Sequence, residues 1–256
     1  MGAWEDRGRY ILNIGDKLLV DGQMVDFSSF ETDYIYEKRQ SSRNFPYSTH
    51  VLTSVEASKL VNICMRARWA DPISPYLLAG WVFSSIICGA MPWRTHIYIF
   101  GPAGSGKSWV IENILQRLLK GFCYEAQSKA TESGIRQQLK GDARPVILDE
   151  TEAEEEKDRL RLQGIFDLAR QASTGNAPIV KGSISGEAIE YYVRSSFAFA
   201  SITPSQVHEA DQTRTEMMRL LPPPDATSDK AKDDSKKFIE LQQSVIDTFT
   251  APPRNP

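Results

Sequence analysis

The stretch HIYIFGPAGSGKSWVIENIL, residues 96–115, constrains the fold more than any other part of the chain. A short apolar run meets a glycine-rich turn, then Lys107 and Ser108, then residues with helical spacing. The turn satisfies G-x-x-x-x-G-K-[ST] in full, through Gly101, Pro102, Ala103, Gly104, Ser105, Gly106, Lys107 and Ser108. Glycines there let successive backbone N–H groups point at phosphate oxygens, and the positive end of the following helix adds to the attraction. In such a loop Lys107 reaches the β- and γ-phosphates, and the Ser108 hydroxyl binds Mg²⁺. ATP with Mg²⁺ is therefore the expected ligand.

The second half of such a site is a strand that ends in a carboxylate, and PVILDE supplies it. Asp149 at the strand end is expected to hold Mg²⁺ through a bound water, with Glu150 polarising the attacking water. The run continues through Glu152 and Glu154–Glu156, which read as a solvated acidic face. SFAFASIT ends in two hydroxyls, Ser201 and Thr203. Thr203, the outermost, either senses the γ-phosphate or satisfies a turn. Beyond it, DQTR sets Arg214 just before the last strand, as a rim charge or as an arginine finger completing a neighbour's site.

Around these motifs, strands and helices alternate from His96 to about Leu221, the pattern of an α/β fold on a mainly parallel sheet. FCYEA, PVILD, SFAFASIT and EMMRLL read as further strands; TESGIRQQLK, with Thr131 as cap, and KDRLRLQGIFDLARQA read as helices. IVKGSISGEAIEYYV reads as a hairpin turning near Ser185-Gly186, with Lys181 on one arm. A cation on a protruding hairpin can track a phosphate backbone, although Glu187 and Glu190 offset part of its charge, and the hairpin can equally be structural.

Upstream, residues 8–37 read as short strands, with RYILNIGDKLLV and QMVDF flanking the hairpin signal Asp21-Gly22. From Thr53 the spacing turns helical, and SVEASKLVNICMRARW sets Val55, Leu60, Ile63 and Cys64 near one stripe. The expected division is a β-rich appendage over 1–45, a helical layer over 46–94, an ATPase domain over 95–224 and a charged tail over 225–256 with one helix.

Composition excludes several classes. A net charge of −3 gives no global basic field, so any DNA contact rests on a few local cations. Cys64, Cys88 and Cys123 lie far apart without a C-x-x-C pair, which argues against zinc and disulfides and fits core thiols in a reducing cytosol. The uncharged run from Tyr76 to Trp93 is near the lower limit for a membrane span, but its glycines, serines and proline favour a buried core helix. MGAWEDRGR carries no cleavable signal, and Asp6 stands where myristoylation at Gly2 wants Ser or Thr. A cytoplasmic protein without a membrane span is expected.

Residues 69–221 resemble the helicase part of phage- and mobile-element-encoded primase–helicases, related to the superfamily 3 helicases within the AAA+ ATPases. The resemblance is carried by LLAGWVFSSIICGAMPWRTHIYIFGPAGSGKS, TESGIRQQL, ARPVILDETE, IFDLARQAS and SSFAFASITPSQVHEADQTR, and GRYILNIGDKLLVDGQ is similar to the segment preceding this module. It implies a P-loop sheet of strand order 5-1-4-3-2, a DNA-facing hairpin before the sensor strand, and a ring, usually hexameric. Thr203 stands where the family often has asparagine. The expected activity is an ATP-dependent helicase or translocase on single-stranded or forked DNA, with a primase fused or associated. Two rivals use the same loop: an AAA+ switch, such as a helicase loader or initiator, and a small-molecule kinase. The kinase lacks an evident acceptor pocket or basic lid.

Overall fold

The computed structural model describes residues 1–29, 31–38, 53–126, 129–149, 151, 155–175, 178–182, 188–203 and 213–222. Glu150, the hairpin turn at Ser185-Gly186 and the tail over 225–256 lie outside these residues.

Two turns with paired positive-φ residues shape the N-terminal segment. Arg7 (φ 53°) and Gly8 (φ 72°) join β1 (Gly2–Asp6) to β2 (Arg9–Asn13), and Asp21 (φ 49°) and Gly22 (φ 83°) join β3 (Leu18–Val20) to β4 (Gln23–Val25). Both suit the type I′ hairpin turn, whose twist matches that of the strands. The strands pair antiparallel in the order β1-β2-β3-β4. RYILNIGDKLLV is thus two strands, split where the Ile14 N–H donates to the Lys17 carbonyl at 3.2 Å. β1 has no counterpart in the sequence reading. It forms at a docking seam, where the Ala143 N–H donates to the Met1 carbonyl at 2.9 Å and Gly2 bridges Ala143.

Helix α1 (Ser54–Cys64) opens on a reciprocal cap: the Glu56 N–H donates to Thr53 Oγ1 at 3.2 Å, and the Thr53 N–H to Glu56 Oε2 at 2.8 Å. It buries Leu60, Ile63 and Cys64, but Val55 is 69% exposed, which corrects the expected stripe. Val55 precedes Leu60 by five positions, about 140° around a helix, and so faces away. Helix α2 (Ser74–Ile86) has Pro75 in its first turn, where the missing N–H is not needed, and buries Leu78, Trp81 and Val82. A 3₁₀ turn, Cys88–Ala90, follows. Among the described residues no helix is long and apolar enough to cross a membrane.

The remaining elements alternate. They are β5 (His96–Phe100), α3 (Lys107–Val110), β6 (Tyr124–Ala126), α4 (Glu132–Leu139), β7 (Val146–Leu148), α5 (Glu156–Ala172), β8 (Ile179–Gly182), β9 (Ala188–Tyr191), β10 (Phe197–Ser201) and β11 (Thr215–Arg219). α3 widens into a π-helical segment, Ile111–Gln116, that buries Ile111, Ile114 and Leu115. Thr131 caps α4, its Oγ1 accepting from the Gly134 N–H at 3.1 Å. β8 and β9 form an antiparallel hairpin of their own. The other five strands make one parallel sheet, in the order β11-β5-β10-β7-β6.

Alternation along buried strands divides the core. Ile97, Ile99, Ala198 and Ala200 face α1, α2 and the α3 segment; Tyr98, Phe197, Phe199, Val146 and Leu148 face α4 and α5. Helices 54–86 therefore share one core with the sheet. Phe199 stacks against Tyr98 at 5.7 Å and meets Phe166 at 4.8 Å, so truncating it to alanine would remove about 3–5 kcal/mol. At the lower edge, buried His96 joins β5 to its neighbours: Nδ1 accepts from the Phe197 N–H at 3.1 Å, and Nε2 donates to the Ala169 carbonyl at 2.7 Å. Burial holds its pKa down to about 4, so it is neutral. Cys64 and Cys88 are buried and Cys123 partly so, and burial raises their thiols to about 12, 11 and 12.

Candidate functional site

The C-terminal ends of β5, β7 and β10 lie side by side, and each leads into one of the motifs read from sequence. After β5, the loop runs through exposed Pro102, Ala103 and Gly104, with Gly104 at φ 75° and Gly106 at φ 93°. Gly106 caps the helix in the left-handed region that favours glycine, and its side supplies no cap, so the helix's first N–H groups face the loop. Ser105 Oγ is buried with no hydrogen-bond partner among the described residues. An orphaned buried hydroxyl beside the uncapped start of the helix fits an anionic group seated on the loop.

Lys107 turns its ammonium back on the loop, Nζ donating to the Gly101 carbonyl at 2.8 Å and to the Pro102 carbonyl at 3.1 Å. The lysine is thus already aimed over the cradle. Ser108 follows, exposed, in the first turn of α3. Asp149 comes directly after β7 and is half-buried. The register sets Phe199 against Leu148 and Ser201 against Phe100, so β10 separates the loop from Asp149. Two strand spacings make that separation about 10 Å. Thr203 sits exposed just past the end of β10, between the two.

Arg214 lies elsewhere. The His96 N–H donates to its carbonyl at 2.9 Å, at the opposite end of β5 from the loop. Its guanidinium lies over the Trp93 ring, 5.6 Å from the centroid, and Nη1 donates to Thr213 Oγ1 at 3.3 Å. Lys181 is on β8, paired with Ile189, in a two-stranded sheet separate from the main one. At the hairpin's base a cleft of about 960 Å³ is lined by residues that include Trp4, Tyr34, Tyr192, Lys140 and Arg194.

Sequence reasoning did not single out Tyr98 or Thr151. Both are buried, and their hydroxyls meet at 3.1 Å beneath the strand ends. The available signal was a hydroxyl-bearing ring inside an otherwise apolar strand, HIYIF.

No family model and no curated protein matches this sequence. Among solved structures, the chain is similar to a JCV helicase bound to an acetamide compound, with a TM-score of 0.46 and 11% identity over 80% of this chain and 57% of that one. It is similar also to another JCV helicase structure, with a TM-score of 0.43 and 12% identity over 81% of this chain and 56% of that one. The apo C-terminal region of NrS-1 aligns with a TM-score of 0.48 and 11% identity over 99% of this chain and 67% of that one. The chain thus spans 57% of the JCV helicase chain it aligns with.

Proposed function

We propose that this chain is an ATP-hydrolysing motor that moves along or unwinds DNA as a homo-oligomeric ring, the module of a phage or mobile-element replication protein. The observation that carries the reading is the meeting of the Gly101–Ser108 loop, Asp149 and Thr203 at one end of a parallel sheet. Counted along the chain, its strands lie in the order 5-1-4-3-2, which supports an AAA+-like arrangement.

In this reading the loop N–H groups and Lys107 bind the phosphates. Lys107 exchanges two carbonyl acceptors for charged oxygens, a gain in hydrogen-bond strength. Ser108 and Asp149 hold Mg²⁺, and the gap of about 10 Å across β10 leaves room for a hydrated cation and a phosphate. Mg²⁺ when bound offsets phosphate charge during transfer. Glu150 orients and deprotonates the attacking water, and Thr203 contacts the γ-phosphate. Arg214 serves the neighbouring subunit, since its register opposite Thr95 leaves about 20 Å of strand between it and its own loop. Lys181 contacts single-stranded DNA, supported by the cleft at the hairpin's base, where Trp4, Tyr34 and Tyr192 can stack on bases although Asp142 and Glu190 offset the charges of Lys140 and Arg194.

The test is Mg²⁺-dependent phosphate release from ATP without an added acceptor, stimulated by single-stranded DNA, with strand separation on a forked duplex. Hydrolysis without unwinding would favour a loader or initiator switch, and release only with a small-molecule acceptor would favour a kinase. For the hairpin, Lys181→Ala should weaken DNA affinity and flatten its salt dependence while basal turnover holds.

A further inference from the structure

The cleft at the hairpin's base is walled by aromatic rings from two distant parts of the chain. Trp4 and Tyr34 come from the N-terminal segment, and Tyr191 and Tyr192 from the end of the hairpin. Its volume of about 960 Å³ admits a planar ring together with its sugar. Lys140 and Arg194 on its lining are matched by Asp142 and Glu190, so no net charge draws a phosphate into it. Stacking is the attraction that remains, and every nucleobase offers a face for it.

Both walls are braced from behind. Trp4 meets Tyr36 edge-on at 5.8 Å, and Tyr36 meets Tyr34 at 6.5 Å while its hydroxyl donates to Asp6 Oδ2 at 3.0 Å. On the other side the Arg136 guanidinium lies over the Tyr191 ring, 4.1 Å from the centroid. Arg136 is only 5% exposed and is itself held by Glu132, whose Oε1 accepts from Nε at 2.9 Å. A desolvated cation gains from the electron-rich ring face, and a planar guanidinium suits it. Arg136 is carried by α4, which is seated in the core by Ile135 and Leu139. Among the described residues the hairpin pairs with no strand of the main sheet, so its bearing on the cleft depends on such side-chain contacts. Tyr34 and Tyr192 stay 43% and 47% exposed, so both walls still offer ring surface.

We infer that this cleft takes unpaired nucleobases by stacking, and that Arg136 is a positioning residue that sets the Tyr191–Tyr192 wall against them. Braced rings lose little freedom when a base arrives, which is why fixing the wall raises affinity. The choice of a nucleic-acid strand as the source of the base rests on the reading of the chain as a DNA motor.

Labelled oligothymidylate, titrated by fluorescence anisotropy over a range of salt, reads the affinity, and an abasic oligonucleotide of equal length supplies the backbone alone. Wild type should prefer the thymidylate by about tenfold. Trp4→Ala and Tyr192→Ala should each lose most of that preference while the salt slope holds, because no phosphate contact is removed. Arg136→Met should lose about as much with the same slope; a changed slope would mean that Arg136 meets phosphate itself, against a positioning role. Arg136→Met added to Tyr192→Ala should do no more than Tyr192→Ala alone, and simple addition would overturn the coupling of the two. Tyr191→Phe keeps the ring face and should bind like wild type, whereas Tyr191→Leu should bind like Arg136→Met; this pair carries the test if Arg136→Met does not fold. If wild type binds neither oligonucleotide, the DNA reading falls and the cleft's role with it. If wild type binds both equally, or Trp4→Ala and Tyr192→Ala keep the preference, DNA binds elsewhere and the cleft is overturned. If those two lose it while Arg136→Met and Tyr191→Leu keep it, the cleft stands and the role of Arg136 is overturned.

Discussion

The His96 N–H donates to the Arg214 carbonyl at 2.9 Å, which holds Arg214 at the end of β5 remote from Lys107. An arginine side chain does not span the length of that strand, so Arg214 and Lys107 cannot meet on one phosphate within a subunit. On the proposed ring, Arg214→Ala should bind ATP almost normally and lose about 10³-fold in hydrolysis, because each interface would then lack the guanidinium proposed to meet developing phosphate charge. Mixing it with Lys107→Ala, itself inactive, creates interfaces where an intact Lys107 faces an intact Arg214, and some activity should return. A mixture that co-assembles by size-exclusion chromatography yet stays as inactive as its parents would count against action in trans.

Lys107 and Glu150 should separate binding from chemistry. Lys107→Ala removes the cation poised over the loop and should weaken nucleotide binding itself. Glu150→Gln keeps the shape and removes the proposed base, so it should bind ATP normally and hydrolyse it about 10²-fold more slowly or worse. Near-wild-type turnover by Glu150→Gln would show that another group activates the water.

Much of the fold was legible in the sequence because two independent signals agreed at each strand end. HIYIF, PVILD and SFAFASIT are apolar enough to be buried on both faces, and each ends in a polar motif, so the strand ends and candidate residues were found together. Thr131 announced α4, and Asp21-Gly22 its hairpin, because caps and turns are local chemistry. What was missed depends on distant partners. β1 pairs with β2 across the Arg7-Gly8 turn, but GAWED lacks the apolar alternation that marks a strand, and its seat at Ala143 lies far along the chain. The π-helical segment after α3 has apolar spacing much like that of an α-helix, and only its packing distinguishes the two. The Tyr98 hydroxyl junction needs three strands side by side before it exists.

The seam that holds β1 gives a packing prediction. A Cβ at Gly89 would stand 2.2 Å from the Ala3 carbonyl oxygen and 2.4 Å from Ala143 Cβ, so the N-terminal sheet and the main domain meet there with no space for a methyl group. Gly89→Ala should force the sheet away and destabilise the protein by about 1–3 kcal/mol. Nucleotide affinity should hold, since the loop lies at another part of the fold. Hydrogen exchange is the sharper measure: amides of β1 and β2 should lose protection before those of β5. Unchanged melting temperature and unchanged protection would mean the seam is not as closely packed as the geometry requires.

His96 supplies a pH signature that belongs to folding rather than to catalysis. Its folded-state pKa is held down to about 4 from 6.5, chiefly by burial, while the Ala169 carbonyl opposes the shift in part. Between those values the unfolded chain takes up a proton that the folded one refuses, so falling pH favours unfolding. This contribution to stability is fully present above about pH 6.5 and is lost progressively as the pH drops toward 4, by about 3 kcal/mol in all. The carboxylates add their own acid dependence lower in the range, so the comparison has to be made against a variant. His96→Gln removes the titrating ring; it should be less stable at pH 7, because the Phe197 N–H loses its acceptor, yet show a flatter decline in melting temperature between pH 6.5 and 4. Parallel curves for the two proteins across that window would mean that His96 takes up its proton equally in the folded and unfolded states.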